Sequence, residues 1–370
     1  MAKEYEFEMD GHPNMNTLKP RKLKVYFSEP ENGVDENTGI VLLIAGFGAN
    51  TQSNVYKKMR NTFADKHNLI TVQCDYFGWE FMQDARNIAL NIDRETLENL
   101  FNKDEIKYIY KDNDIFQRLI EICDVHKVDI SAMETLNENQ DNYNEMGLVQ
   151  AIDNVSAVFS VLEIIKDNGY EIDMNKIILY GQSHGAYLSY LSNAIAPNLF
   201  TLLVDNSAWL FPEYLKENRY INKQYGQVRL TVGFDYFAKN LDIDQEILYI
   251  PFLYSKFNNQ CEIVCYHGTN DKLINHQDKR QLKELVQLFN YNEVDTSQVD
   301  GEIFKSTSHG LGADFLKLFD IIISSHKFDS KNRDDQKNIM FETRKNSYRF
   351  SYEKGLPVLS TKKNVSKLVK

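Results

Sequence analysis

Hydrophobic positions along the chain fall into two alternating periods. Residues 5–9 and 22–27 alternate apolar and polar side chains, as half-exposed strands do. Residues 39–44, GIVLLI, form a continuous apolar run opened by a glycine, and predict a strand buried on both faces. Between 53 and 67, Val55, Met59 and Phe63 recur at four-residue steps and predict one helical face. Residues 69–74 predict the next strand, and helical spacing returns over 146–166. Further on, strands are expected at 177–180, 200–204, 261–266 and 299–304, with helices at 184–194, 277–289 and 313–324. This alternation predicts an α/β fold, a doubly wound and mostly parallel sheet.

Two stretches interrupt the rhythm. Residues 80–145 read as mainly helical, with Ile106, Tyr110, Leu119 and Ile122 as apolar positions. Residues 210–260 are rich in aromatics and poor in clear period. Both begin after strand ends. The expected organisation is therefore a single domain over 1–329, carrying a helical insertion at about 80–145 and a cap-like insertion at about 210–260. Residues 330–370 form a C-terminal extension with one strand near 346–352.

Charge changes this picture. The 370 residues carry 42 Lys and Arg against 53 Asp and Glu, a formal net charge of −11. That balance disfavours nucleic-acid binding, because phosphates are repelled. It is also unevenly spread: 80–145 holds 16 acidic and 7 basic residues, whereas 330–370 holds 4 and 11. The basic tail is a candidate docking arm for an acidic partner or for the acidic insertion. No run of eighteen apolar residues predicts a membrane span. The N-terminus, MAKEYEFEMD, has charges where a secretion signal needs an apolar core, so a cytoplasmic protein is expected. Cys74, Cys123, Cys261 and Cys265 read as buried thiols, since no Cys/His pair has zinc-finger spacing.

The chemistry gathers around Gly181-Gln-Ser183-His-Gly185. An apolar strand precedes it and a helical run of small and apolar residues follows, the setting of a nucleophile elbow. Glycines suit a tight turn in which backbones approach closely. Such a turn lifts the Ser183 hydroxyl above the sheet and leaves the His184 amide at a helix N-terminus, where an oxyanion can be held. A serine needs a base, and the base an orienting acid. Residues 261–266 run into His267-Gly-Thr-Asn-Asp271, and a later loop carries Thr307-Ser-His309-Gly310. Ser183, Asp271 and His309 thus follow the order Ser…Asp…His, each just beyond a strand. Asp205, after 200–204, is the rival acid. His184, His267 and His276 compete with His309 as base, but their positions beside the elbow, at a strand end and at a helix start fit less well.

A second oxyanion donor is expected from the Phe47 amide, in Ile44-Ala-Gly-Phe-Gly-Ala-Asn50. This segment resembles the His-Gly-x-Gly turn of the α/β-hydrolase superfamily, with Ala45 in the histidine's place. No phosphate loop or dinucleotide fingerprint is present, so no cofactor is expected. With elbow, acid loop and histidine loop in order, residues 39–324 resemble that superfamily. More narrowly, the 44–50 segment with Gln73-Cys-Asp-Tyr-Phe-Gly78 resembles a bacterial family known only as a domain of unknown function.

The resemblance implies a serine hydrolase cleaving an ester or related acyl bond in a small-molecule or acylated substrate. An alcohol or amine acceptor would turn the same site into an acyltransferase. A peptidase, or a non-catalytic binding protein on this scaffold, are the other readings. Trp79, Trp209 and Tyr76, with Phe47 and Phe77, follow strand ends and are candidates for an aromatic wall against the substrate. The acidic insertion is a candidate cap over the site. The sequence leaves the oligomeric state open.

Overall fold

The computed structural model describes residues 1–90, 94–328, 336–352 and 355–364. Expectations that fall on 91–93, 329–335, 353–354 and 365–370, including parts of the extension, lie outside the described residues. The strands are β1 (Lys3–Gly11), β2 (Arg21–Glu29), β3 (Gly39–Ile44), β4 (Leu69–Cys74), β5 (Ile88–Leu90), β6 (Ile130–Glu134), β7 (Ile177–Gln182), β8 (Leu202–Asn206), β9 (Arg219–Tyr225), β10 (Val228–Phe234), β11 (Glu262–Gly268), β12 (Phe289–Val294), β13 (Ile339–Glu342), β14 (Asn346–Ser351) and β15 (Val358–Lys363). The longer helices used below are α1 (Asn54–His67), α2 (Arg94–Leu100), α3 (Lys103–Ile109), α4 (Ile115–His126), α5 (Leu148–Asp167) and α6 (His184–Ile195), with a last helix at Phe315–Ser325.

Two compact units emerge. The larger comprises residues 1–83, 140–212 and 242–370, and the smaller 84–139 and 213–241. The larger unit is built on an eight-stranded sheet of order β1-β2-β4-β3-β7-β8-β11-β12. β1 pairs antiparallel with β2 and β2 with β4, and the remaining pairs are parallel. The GIVLLI run of β3 is buried along its whole length, as a central strand covered on both faces requires. On one face, Val41, Leu43 and Tyr180 meet Met59 and Phe63 of α1 and Phe319 of the last helix. Phe63 and Phe319 stack with ring centroids 4.0 Å apart. α5 and α6 pack together against the other face.

α1 differs from the expected face. Met59 and Phe63 are buried as expected, but Val55 is exposed, and Tyr56, Arg60 and Ala64 complete the buried set. Arg60 turns inward because Thr51 O and Gln73 Oε1 each accept from its Nη1 at 2.7 Å. α5 is long and apolar enough to cross a bilayer by length and composition, but 72% of that window is buried inside the fold. Its first turn is held by Glu145, whose Oε2 accepts the Gly147 and Val149 amides at 3.0 and 3.1 Å. Burial pushes the Glu145 carboxyl up to about 7.

The strand expected at 299–304 is instead β12, ten residues earlier, and the helix expected over 277–289 is only two short turns, His276–Arg280 and Leu282–Leu285. Residues 299–304 make a turn because Asp300 Oδ1 accepts the amides of Glu302, Ile303 and Phe304 at 2.8, 2.7 and 3.0 Å.

The smaller unit draws on both insertions. The 80–145 stretch holds the helices α2, α3 and α4, and with them two strands that the helical reading did not anticipate, β5 and β6. β6 pairs antiparallel with β5 and parallel with β10, and the β9–β10 hairpin completes a four-stranded sheet. The C-terminal extension forms a three-stranded antiparallel sheet, β13-β14-β15, rather than one peripheral strand. Its described residues fold back on an acidic segment of the larger unit, residues 242–246. Asp244 Oδ2 accepts from Thr343 Oγ1, Asn346 Nδ2 and Tyr348 OH at 2.6, 2.9 and 3.1 Å. Arg344 pairs with Glu246, and Lys345 with Asp242 at 2.7 Å.

Candidate active site

β7 ends in Gly181-Gln182 and α6 begins at His184, so Ser183 alone makes the turn. Its backbone sits at φ 54°, ψ −120°, a combination that residues bearing a β-carbon rarely adopt. The flanking glycines are required by close approach. A Cβ on Gly181 would lie within 3.0 Å of the Gly185 and Ala186 backbone, and one on Gly185 within 3.0 Å of Ile44 and Ala45. Gly46 lies against the same turn: its Cβ position would be 2.8 Å from Gln182 O and 3.6 Å from the His184 amide nitrogen. The loop bearing Phe47 is thereby set beside the first amide of α6.

The structure brings Ser183, His309 and Asp271 together. His309 Nε2 lies 2.7 Å from Ser183 Oγ, and His309 Nδ1 lies 2.8 Å from Asp271 Oδ2. The other carboxylate oxygen of Asp271 accepts the Leu273 and Ile274 amides at 2.8 and 3.1 Å. Burial works to raise the Asp271 carboxyl, but the His309 hydrogen bond and charge, with the Ile274 amide, outweigh it and hold the group below its ordinary range. An ionised Asp271 beside Nδ1 favours the His309 tautomer protonated there, which leaves the Nε2 lone pair towards Ser183.

The rival residues are engaged elsewhere. Asp205 forms a fully buried ion pair with Lys279, 2.7 Å apart, and accepts Tyr190 OH at 2.7 Å and the Ala208 amide at 2.7 Å. His267 is buried, with Nε2 3.0 Å from Ile274 O and 3.4 Å from Asp271 Oδ2, and burial lowers its pKa. His184 is held by Gln150 Oε1, 2.8 Å from its Nε2, and burial drops its pKa to about 3. It is fully buried, and burial favours its neutral form. His276 opens the short helix after the acid loop.

The aromatic candidates divide. Phe47 stacks on Trp209 with centroids 5.6 Å apart, and the His184 ring meets both edge-on at 5.2 and 5.5 Å. Trp209 is only 2% exposed, so Phe47 is the outer face of this group. Tyr76 does not line a rim. It is buried, and its hydroxyl donates to the Ala45 carbonyl at 2.6 Å, which supports the Phe47 loop from below. Phe77 is likewise inside, under the Arg21 guanidinium. Trp79 opens a short turn, Trp79–Met82, whose Met82 carbonyl accepts the Gly48 amide at 2.8 Å.

The sequence reading missed Asn206, Ser207, Gln150 and Lys279. Asn206 and Ser207 stand at the end of β8, and that placement alone could have marked them. Lys279 gave no signal, since a lysine on a polar helix reads as solvated.

The sheet order, the strained serine turn between β7 and α6, and acid and histidine loops at later strand ends define an α/β-hydrolase-fold protein. Within that class, the chain belongs to the family described as a protein of unknown function (DUF2920), which it matches over residues 5–355. Solved structures with a similar course include the ferulic-acid complex of Est1E from Butyrivibrio proteoclasticus. It is 12% identical, with 82% of this chain and 92% of that one covered at a TM-score of 0.43. The apo form of Thermogutta terrifontis esterase 2 is 12% identical, covering 84% and 92% of the two chains at a TM-score of 0.41. No curated protein matches the sequence.

Proposed function

We propose that this protein is a serine hydrolase that cleaves a carboxylic ester or related acyl bond through an acyl-enzyme. The observation that carries this reading is the unbroken chain Ser183 Oγ–His309–Asp271, at 2.7 and 2.8 Å, on a turn whose strain holds the serine clear of regular structure. In this mechanism Ser183 Oγ attacks the substrate carbonyl while His309 Nε2 takes its proton. Asp271 stabilises the imidazolium that forms. The amides of Phe47 and His184 hold the oxyanion. His309 then gives the proton to the leaving alcohol, and activates the water that frees the acyl group and restores Ser183. The Phe47–Trp209 stack offers an apolar surface to the substrate.

A fluorophosphonate probe tests the nucleophile directly. Wild type should be labelled at one site and Ser183→Ala not at all. An unlabelled wild type, or a labelled Ser183→Ala, would overturn the assignment. Screening short and long acyl esters and acetylated sugars then identifies the acyl group.

A further inference from the structure

The residue next to the proposed base is gripped on both of its backbone groups by the end of β8. The Gly310 amide donates to Ser207 Oγ at 3.1 Å, and Asn206 Nδ2 donates to the Gly310 carbonyl at 3.3 Å. Ser207 Oγ donates in turn to Asn206 Oδ1 at 3.1 Å, which fixes the orientation of that amide. The hydrogen bonds close a ring around one glycine. Its members Asn206 and Ser207 are fully buried and have no route to substrate. The same Asn206 accepts the Ser183 amide on its backbone oxygen at 2.9 Å. One dipeptide is therefore bonded to the nucleophile's turn and to the histidine's loop.

Two backbone features show that this ring shapes the chain. Ser207 sits at φ 58°, left-handed backbone that a serine adopts only under constraint, and its hydroxyl is thereby presented to Gly310. Gly310 is at φ 74°, with Gln182 Nε2 within 3.0 Å of where a Cβ would stand. The histidine loop therefore needs a glycine there, and a glycine has no side chain with which to hold itself. The loop also bonds itself, the Ala313 amide donating to the Gly310 carbonyl at 3.1 Å and the Leu311 amide to the Ser308 carbonyl at 2.9 Å; what the clamp adds is the tie between this loop and the end of β8.

We propose that Asn206 and Ser207 are positioning residues that set the His309 imidazole between Ser183 and Asp271, an inference that rests on the hydrolase reading. Neither touches substrate; both act through Gly310. Misplacing a catalytic group by a fraction of an ångström to one ångström costs up to about 100-fold in rate.

Ser207→Gly is the decisive variant. Glycine accepts the left-handed backbone without strain, so the hydroxymethyl group and its two hydrogen bonds are removed without forcing the backbone to move. Asn206→Asp keeps the shape but sets a carboxylate oxygen against the Gly310 carbonyl. Three readouts apply: the fluorophosphonate inactivation rate, kcat and KM on a reporter ester, and the downfield proton resonance of His309 Nδ1 shared with Asp271. Inactivation and kcat should fall about 10- to 100-fold, with KM nearly unchanged and the downfield resonance shifted or broadened. The double variant should be little worse than the poorer single one, because both act on one loop. Ser207→Gly that reacts at the wild-type rate with an unmoved resonance overturns the proposal, while labelling at Ser183 leaves the hydrolase reading standing. If wild type is not labelled, the hydrolase reading fails instead. The resonance then decides the clamp without any substrate, moving in Ser207→Gly if the clamp is real and staying fixed if it is not. Should Asn206→Asp fail to fold, Ser207→Gly is sufficient by itself to support or overturn the clamp.

Discussion

Strain at Ser183 should be measurable as stability. A residue with a β-carbon held at φ 54°, ψ −120° carries about 1–3 kcal/mol of backbone strain. Ser183→Ala keeps the β-carbon and loses the hydroxyl, whereas Ser183→Gly loses both. At an unstrained position the glycine would be the less stable of the two by about 0.5–1 kcal/mol, because its unfolded chain is freer. The two effects oppose each other, and mid-range values leave Ser183→Gly ahead of Ser183→Ala by about 1 kcal/mol. The hydroxyl's bond to His309 is absent from both variants and cancels. Unfolding entropy of about 2.1 cal/mol/K per residue, over 370 residues, converts this to a Tm difference of about 1.3 °C. Urea unfolding followed by circular dichroism is therefore the better assay, read as a shift in midpoint at constant slope. Both variants should be silent to the fluorophosphonate, so the comparison does not depend on activity. A glycine variant less stable than the alanine one by about 0.5 kcal/mol, the ordinary glycine penalty, would refute the claim that the turn is strained.

The remaining expectations concern the acids and the support of the loop bearing Phe47. Asp271→Asn should lower kcat on a reporter ester roughly 10³- to 10⁴-fold by disturbing the His309 tautomer, with little change in Tm. Asp205→Asn should instead cost about 3–5 kcal/mol of stability in denaturant titrations, because it leaves Lys279 buried without its counter-charge; matching rate losses in the two variants would undo the division of roles. Glu145, raised to about 7 by burial, contributes stability that is complete below its unfolded value of 4.5 and fades as pH climbs through 7. Glu145→Gln should therefore gain on wild type in Tm between pH 5 and 8, and a difference flat with pH would contradict this. Tyr76→Phe removes the hydroxyl that holds Ala45 O, and should cost about 1 kcal/mol of stability and lower kcat more than it raises KM.

The elements legible from sequence were those whose signal is local. The GIVLLI strand, the elbow and the Asp271 and His309 loops each announce themselves within ten residues, because a buried strand must be apolar and a tight turn needs glycine. What escaped depends on partners distant in the chain. β6 reads as part of a helical stretch, since its parallel partner β10 lies about a hundred residues on. Residues 299–304 look like a strand by hydrophobicity, yet one carboxylate, Asp300, bends them into a turn. Tyr76 was expected at the rim because aromatic residues after a strand often face a site, but the Ala45 carbonyl draws its hydroxyl inward. Asn206 and Ser207 carry no motif at all. Their role exists only because β8 lies beside β7 and β11 in the sheet.

The four-stranded sheet of the smaller unit imposes an order on synthesis. β6 emerges with β5 as its only available partner, and its other edge waits for β10, roughly 90 residues later. At about 5–20 residues per second, a ribosome takes about 5–20 s to supply it. During that interval the nascent chain exposes the unpaired edge of an Ile-Ser-Ala-Met strand, while β7, α6 and β8 are being made. The scaffold of the Ser183 turn is thus translated inside the window in which the smaller unit cannot close. Codon choice and chaperone access between residues 135 and 228 are where the yield of folded protein should be most sensitive.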